Sequence, residues 1–214
     1  MTDCMEYNEL LKNIEQWLFC LDADARHVIE LKETFTFPAY DTSIRELIKE
    51  TNKVWCYTIC LNAIYFEFIM ALMRMYDSYE RDTVCFKKLF EYLSNDFIEH
   101  FERNTQRAIR TEIETALEEY NGIKGSHFMG GLKTVRHNIL AHTSTNFDRN
   151  QVAEYGDGEK LLARTLPMLN RLNLAIRGKT EPYDKISDYW KGYAIEFWQS
   201  MLNSGQQITR ADGG

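Results

Sequence analysis

Two residue types suited to phosphate chemistry stand in one short stretch, residues 131–142 (GLKTVRHNILAH). Arg136 carries a planar guanidinium that matches two phosphate oxygens. His142 carries an imidazole that titrates near neutral pH. The polar residues His137 and Asn138 lie between them. This combination predicts anion binding, with proton transfer at a bound phosphate as the chemistry that the pair would support.

The stretch also has the pattern of an amphipathic helix. At about 100° per residue, Leu132, Val135 and Ile139 share one face, and Arg136 falls inside that apolar sector. His142 falls on its rim. A guanidinium at a packed position is costly unless it is paired or lines a polar cleft. Two interpretations follow: Arg136 neutralises a core carboxylate, or it forms a catalytic or anion-binding pair with His142.

The motif resembles that of the HEPN superfamily. There an Arg and a polar residue are followed, after roughly four to six positions, by a His; here these are Arg136, His137 and His142. The LAH ending of the motif and an apolar helix that closes on RMYD, residues 74–77, are most similar to the abortive-infection U-type branch. The resemblance covers most of the chain, from about Tyr7 to Met201.

The resemblance implies metal-independent RNA cleavage in a cleft between two copies of the domain. It assigns proton transfer to His142 and a phosphate clamp to Arg136, with no metal and no cofactor. The expected partners are RNA, a second copy of the chain and a possible antitoxin, and neither DNA nor a membrane. A substrate-binding or supporting role is assigned to five further residues: His137, Asn138, Lys133, Arg74 and Asp77.

Composition favours a single helical domain. The chain has 214 residues, 44% of them hydrophobic, which is enough for one sizeable core. Three prolines and eleven glycines argue against a β-sandwich or a disordered chain. A net charge of −7 argues against a protein that coats DNA, whereas residues 121–149 carry an excess of basic residues and favour an anionic ligand there.

Cysteine usage predicts a cytoplasmic protein. The count of five is odd and shows no spaced disulfide framework, and no signal peptide is apparent. Cys56 and Cys60 are one helical turn apart and could grip a metal in principle. Because no Cys or His pair has the spacing of a zinc finger, the preferred interpretation is that both are buried free thiols.

The longest predicted element is a central helix that starts at a capping box, Ser43 with Glu46, and runs to about Asp77. Its second half is apolar nearly all round and has the length of a membrane span. Asn62, Glu67 and Arg74 argue against a span, so a core helix buried by its neighbours is predicted. Glu67 and Asp77 are then candidate partners for Arg136, and the alternative for Asp77 is a surface ion pair with Arg74.

The remaining periodicity predicts an all-α, HEPN-like helical bundle over residues 1–203, with a flexible tail at 204–214. A first helix from Tyr7 is expected to be interrupted at Asp22–Asp24 and followed by a connector at Phe35–Tyr40. Further helices are predicted at 83–93, 96–120, 131–142, 159–177 and 183–202. Asn121-Gly122 should end the second of these, and residues 143–158 have the character of a loop.

Three classes of function are consistent with these features. The first is an RNA-cleaving toxin or anti-phage effector of the abortive-infection kind. The second is a non-catalytic helical module that binds a partner or a nucleotide. The third is a HEPN toxin held in check by a nucleotidyltransferase-type antitoxin.

Overall fold

The computed structural model describes residues 2–49, 54–77, 84–93, 103–136 and 156–211. These residues form eight α-helices joined by turns, and no strand occurs among them, which confirms the predicted all-α fold. The helices are α1 (Thr2–Tyr40), α2 (Thr42–Lys49), α3 (Val54–Arg74), α4 (Phe86–Tyr92), α5 (Arg103–Lys124), α6 (His127–Thr134), α7 (Asp157–Arg177) and α8 (Tyr183–Ala211).

The chain divides into two compact units. Unit 1 consists of residues 1–25 and 69–181, and unit 2 of residues 26–68 and 182–214. The described residues that the sequence assigns to the site, Arg74, Asp77, Lys133 and Arg136, belong to unit 1. Helices α1 and α3 each contribute residues to both units.

In unit 1, α5 packs on α7, and α6 packs on both. The contacts form because α7 repeats its leucines at intervals of three and four, which lines them along one face. An aromatic cluster lies beside them. Tyr120 of α5 stacks on Tyr76 with ring planes 4° apart, and Phe86 and Phe90 of α4 contact the Tyr120 ring. Burial of these leucine and aromatic side chains is a main source of stability in this unit.

Helix α1 is continuous where two breaks were predicted. The expected interruption at Asp22–Asp24 is wrong, because Asp22 is buried and satisfied by a side chain at each oxygen. The expected connector at Phe35–Tyr40 is also wrong, because the helix runs to Tyr40 with Pro38 inside it. A buried acid and a proline both disfavour helix in isolation, and in each case a distant side chain compensates.

The compensation at Pro38 comes from α8. Proline has no N–H, so the carbonyl of Thr34, four residues earlier, loses its helical donor. The indole Nε1 of Trp198 donates to that carbonyl at 2.8 Å. Trp198 is 1% exposed and anchors the core cluster of unit 2. The other buried members of this cluster are Ile44, Ile48 and Leu202, with Phe37, Tyr57 and Ile64 packed against them.

We expect Trp198→Phe to destabilise unit 2, in part because the Thr34 carbonyl is left without a donor, a loss of about 1–3 kcal/mol. The loss should be smaller in a Pro38→Ala background, where residue 38 supplies the N–H itself. Urea unfolding of the four proteins measures this coupling. Trp55→Phe, at a position that is 80% exposed on α3, is the control. Equal losses in both backgrounds would contradict the role assigned to the indole.

Two helix ends differ from the prediction: the start of α2, where another residue is the cap, and the end of α5, where a glycine does not stop the helix. The cap of α2 is Asp41, not Ser43: its Oδ1 accepts from the Ser43 hydroxyl and from the backbone N–H of Ile44. These bonds, led by the one from Ser43, lower the pKa of Asp41. Helix α5 continues through Asn121-Gly122 to Lys124, so that predicted stop is wrong.

The end of α7 at Gly178 is confirmed, since that residue has φ of 66°, which glycine adopts without strain. Pro167 lies inside α7 as expected. Helix α8 extends to Ala211, past the predicted end at 202.

Helix α3 is buried along only part of its length. Residues 68, 69, 71–73, 75 and 76 at its C-terminal end are buried, whereas Trp55, Cys56, Ile59 and Cys60 are exposed. The prediction of a helix buried throughout is therefore wrong for its first half, as is the prediction that both thiols are buried. Among the described residues, Val54–Arg74 is the one helix long and apolar enough to cross a membrane, a test that core helices also pass.

Candidate functional site

The motif stretch begins as helix α6, four residues earlier than predicted. Ser126 precedes it in an extended conformation, and its hydroxyl oxygen accepts from the backbone N–H of Met129. The same hydroxyl donates to the carbonyl of Ile123 at 2.5 Å, which ties α6 to the end of α5. This arrangement fixes where α6 begins.

The apolar face predicted for this helix is present. Met129, Leu132 and Val135 are buried, and Gly131 is buried among them. Arg136 follows Val135 directly, and its side chain is 15% exposed. The Arg therefore lies at the edge of the packed face, as its helical position indicated.

The residues at the C-terminal end of α3 lie next to Arg136. They turn tightly, and the N–H of Asp77 donates to the carbonyl of Met73 at 3.1 Å. Tyr76 is buried, and its hydroxyl lies 2.6 Å from Oγ1 of Thr165 on α7. Because Thr165 donates its own hydrogen to the Leu161 carbonyl, Tyr76 acts as the donor. Burial raises the pKa of Tyr76, so this donor stays protonated.

An ion pair between Arg136 and Asp77 joins the end of α6 to the end of α3. A terminal nitrogen of the Arg136 guanidinium donates to Oδ2 of Asp77, whose side chain is 18% exposed. Of the two partners that the sequence offered, Asp77 is paired with Arg136, and Glu67 is an exposed residue of α3. Burial lowers the pKa of Arg136, but a guanidinium remains protonated at any physiological pH.

Two further predicted site residues flank this pair along the chain. Lys133 is half-buried one turn before Arg136 on α6, and Arg74 is exposed on the last turn of α3, three residues before Asp77. Lys133, Arg74 and Arg136 thus place three basic side chains on these two segments. His137, Asn138 and His142 lie outside the described residues, as do residues 143–155 of the predicted loop.

Sequence reasoning missed the polar contacts that hold the supporting helices in place. Arg171 of α7 bridges two carboxylates of α5, Glu112 at 3.1 Å and Glu119 at 3.0 Å. Arg164 of α7 lies over the ring of Phe128 on α6, 5.1 Å from its centroid. Helical periodicity could not identify these partners, because it gives the face of each helix and not the residue opposite. Asp22 did carry a signal, since its position at helical spacing from the buried Leu18 and Ala25 puts it on the apolar face of α1.

Comparison with protein families identifies the family of the chain. A family model for HEPN domains, described as AbiU2, matches residues 11–197, which include the whole motif and the RMYD end of α3. The chain belongs to the AbiU2 family of HEPN domains. Comparisons with curated proteins and with solved structures give no match.

Membership in the AbiU2 family confirms the resemblance read from the motif and connects the chain with abortive infection. In this HEPN domain, the Arg that opens the motif is anchored by the last residue of RMYD, so the two signatures that carried the resemblance contact each other.

Proposed function

We propose that this HEPN domain is a metal-independent endoribonuclease that acts as a toxin or anti-phage effector. The observation that carries the proposal is the ion pair between Arg136 and Asp77 at the edge of the packed face of α6. The pair fixes the guanidinium of the family motif in place. A fixed cation stabilises developing phosphate charge better than a mobile one, because no reorganisation is needed as the charge forms.

The reaction needs only groups that the motif supplies. The 2′-hydroxyl of RNA attacks the adjacent phosphorus, a bond to oxygen forms, and the P–O bond to the 5′-oxygen of the next nucleotide breaks. His142 takes the proton from the 2′-hydroxyl and gives it to the leaving 5′-oxygen, so that no proton is gained or lost overall. Arg136 binds the phosphorane oxygens. A guanidinium has five N–H donors, so a phosphate and the Asp77 carboxylate can bind it together.

We assign supporting roles to the polar residues near this pair. Lys133 and Arg74 contribute positive potential that attracts the RNA backbone. His137 supplies a further phosphate contact, and Asn138, one turn before His142, orients its imidazole. Asp77 is a positioning residue for Arg136 in this assignment.

We also propose that the active form is a homodimer. A single copy of the motif supplies one Arg and one His, which is half of the expected cleft, and a second copy would complete it. We propose that an antitoxin, where one is present, inhibits the toxin by binding in this cleft.

A second candidate function has a specific observation in its favour. Asp77 neutralises Arg136 at a site that is less than one-fifth exposed, and this is also what a purely structural ion pair would do. In that case the chain is a non-catalytic helical module. Activity assays on variants of the motif separate this alternative from the ribonuclease.

The first test is incubation of the purified chain with mixed RNA in EDTA. We expect cleavage to persist without divalent metal and to leave 2′,3′-cyclic phosphate ends, because the nucleophile is internal to the RNA. His142→Ala should remove cleavage, and light scattering should find the activity in particles of two chains. A requirement for divalent metal, or full activity in His142→Ala, would exclude this mechanism.

A further inference from the structure

Helix α8 carries a stripe of large apolar and aromatic side chains on its exposed surface. The stripe recurs at every fourth residue, which places its members side by side along the helix. Its members are Tyr189, Tyr193, Phe197 and Met201. The three aromatic members are each more than half exposed, whereas Trp198, the residue after Phe197, is buried in the core of unit 2. The stripe is therefore a second apolar face of α8, beside the face that packs in the core.

The rings at the start of the stripe form one continuous surface. Tyr189 contacts Tyr193 with ring centroids 4.7 Å apart, and Trp190 contacts both, at 5.7 and 5.8 Å. The hydroxyl of Tyr189 donates to that of Tyr193 at 3.1 Å. These contacts order the rings before a partner binds, which lowers the entropic cost of association. A contiguous exposed patch of this kind marks an interaction site, whereas single exposed apolar residues are normal.

The charges of α8 favour a protein partner over RNA. Between Tyr183 and Met201, two lysines stand against three acids. They are Lys185, Lys191, Asp184, Asp188 and Glu196. A surface that stacks nucleic-acid bases also needs a positive groove for the phosphates, and this segment of α8 carries a net negative charge. Tyrosine is enriched in protein interfaces, where its ring is buried and its hydroxyl finds a polar partner.

We propose that this stripe is covered by α8 of a second copy of the chain, packed antiparallel. A two-fold axis near residue 191 places Tyr189 of each copy opposite Tyr193 of the other. Lys185 then lies within one residue of the position opposite Glu196. Both are exposed, and they lie about 20° apart on the helical wheel, on one flank of the stripe. Because a two-fold axis brings like flanks of antiparallel helices together, Lys185 of each copy pairs with Glu196 of the other.

The size of the stripe predicts a weak, reversible dimer. A half-exposed aromatic side chain offers about 100 Å², so the three rings of the stripe supply less than half of the roughly 800 Å² that each partner buries in a specific interface. The flanks of α8 add to this, and the total falls at the low end of the range. The inference names the surface of the homodimer proposed above and in that use rests on the proposed function. Self-association is independent of cleavage and can be measured alone.

Sedimentation equilibrium of the full chain without RNA measures the dissociation constant of the dimer. Tyr193→Glu places two like charges close to the two-fold axis and should raise this constant by about tenfold or more. The melting temperature of the dilute chain should stay the same, because the side chain is exposed. Lys191→Glu is the matched control: residue 191 lies about 160° around the helix from Tyr189, so the dissociation constant should not change.

A charge exchange tests the register of the two helices. Lys185→Glu and Glu196→Lys should each weaken self-association by about tenfold, because both attractive pairs of the dimer become repulsive. Mixed in equal amounts, the two variants should form a heterodimer as tight as the wild-type dimer, since opposite charges again face each other in both pairs. A role for either residue within its own chain would not produce this recovery on mixing.

A wild-type chain with a dissociation constant above about 1 mM would overturn the inference, because that affinity is too weak for a specific dimer. A dimer that neither Tyr193→Glu nor the charge exchange affects would also overturn it and would leave the proposed homodimer standing. A dimer that both tests place on α8, formed by a wild-type chain that never cleaves RNA, would uphold the inference and contradict the proposed ribonuclease.

Discussion

Arg136→Ala should lower the rate of RNA cleavage by about a hundredfold to a thousandfold, the range seen when one donor to a developing oxyanion is removed. Arg136→Lys should fail almost as badly, since an ammonium cannot bind Asp77 and a phosphate through one planar fork. Single-turnover cleavage of a defined RNA, with thermal melts of each protein, gives the measurement. Lys124→Ala, which removes an exposed cation of α5, is the control and should change neither quantity.

Because Arg136 and Asp77 form an ion pair, a single substitution changes stability as well as catalysis. A double variant separates the two effects. Either Arg136→Ala or Asp77→Ala alone leaves a partly buried charge without its partner and should destabilise unit 1. The double variant removes both charges and should recover part of that stability, yet it should remain inactive because the phosphate clamp is gone. Recovery of cleavage together with stability would show that the pair is structural and that catalysis lies elsewhere.

The position of Arg136 could be predicted because it depends on local pattern. The helical wheel of the motif put Arg136 at the edge of the apolar sector, and its side chain lies there, 15% exposed. RMYD was singled out by resemblance, and its last residue, Asp77, proves to be the partner of Arg136. The choice between Asp77 and Glu67 stayed open because a one-dimensional pattern does not say which residue of a neighbouring helix lies opposite.

The errors in the fold share a physical cause. Local propensity predicted a break at Asp22, a connector around Pro38 and a stop at Gly122, and α1 and α5 continue through all three. At Asp22 and Pro38 the helix is maintained by side chains far away in sequence, Arg177 and Trp198. Such compensation is invisible to propensity, because the stabilising group is specified by tertiary packing.

Asp22→Ala should be among the most destabilising single substitutions in unit 1, at about 3–5 kcal/mol. Oδ1 of Asp22 accepts from Nδ2 of Asn173 at 2.7 Å, and Oδ2 accepts from Arg177 at 2.6 Å. Asn173 is fully buried, and the Arg177 side chain is only 16% exposed. Removal of the carboxylate therefore leaves the Asn173 amide without this acceptor and leaves Arg177 with Glu181, 3.9 Å away, as its carboxylate partner. For a chain of this size the melting temperature should fall by roughly 6–20 °C.

The matched control is Glu15→Ala, which removes an exposed acid from the same helix and should change stability by no more than about 0.5 kcal/mol. A triple variant, Asp22→Leu with Asn173→Leu and Arg177→Met, tests the cause of the loss. If unpaired buried polar groups are responsible, replacing all three with apolar side chains of similar size should restore most of the stability lost in Asp22→Ala. If the triple variant is as unstable as Asp22→Ala, the network contributes specific bonding between α1 and α7 that packing cannot replace. Chemical unfolding of the three proteins and the wild type distinguishes these outcomes, and an Asp22→Ala protein as stable as Glu15→Ala would contradict the role assigned to the network.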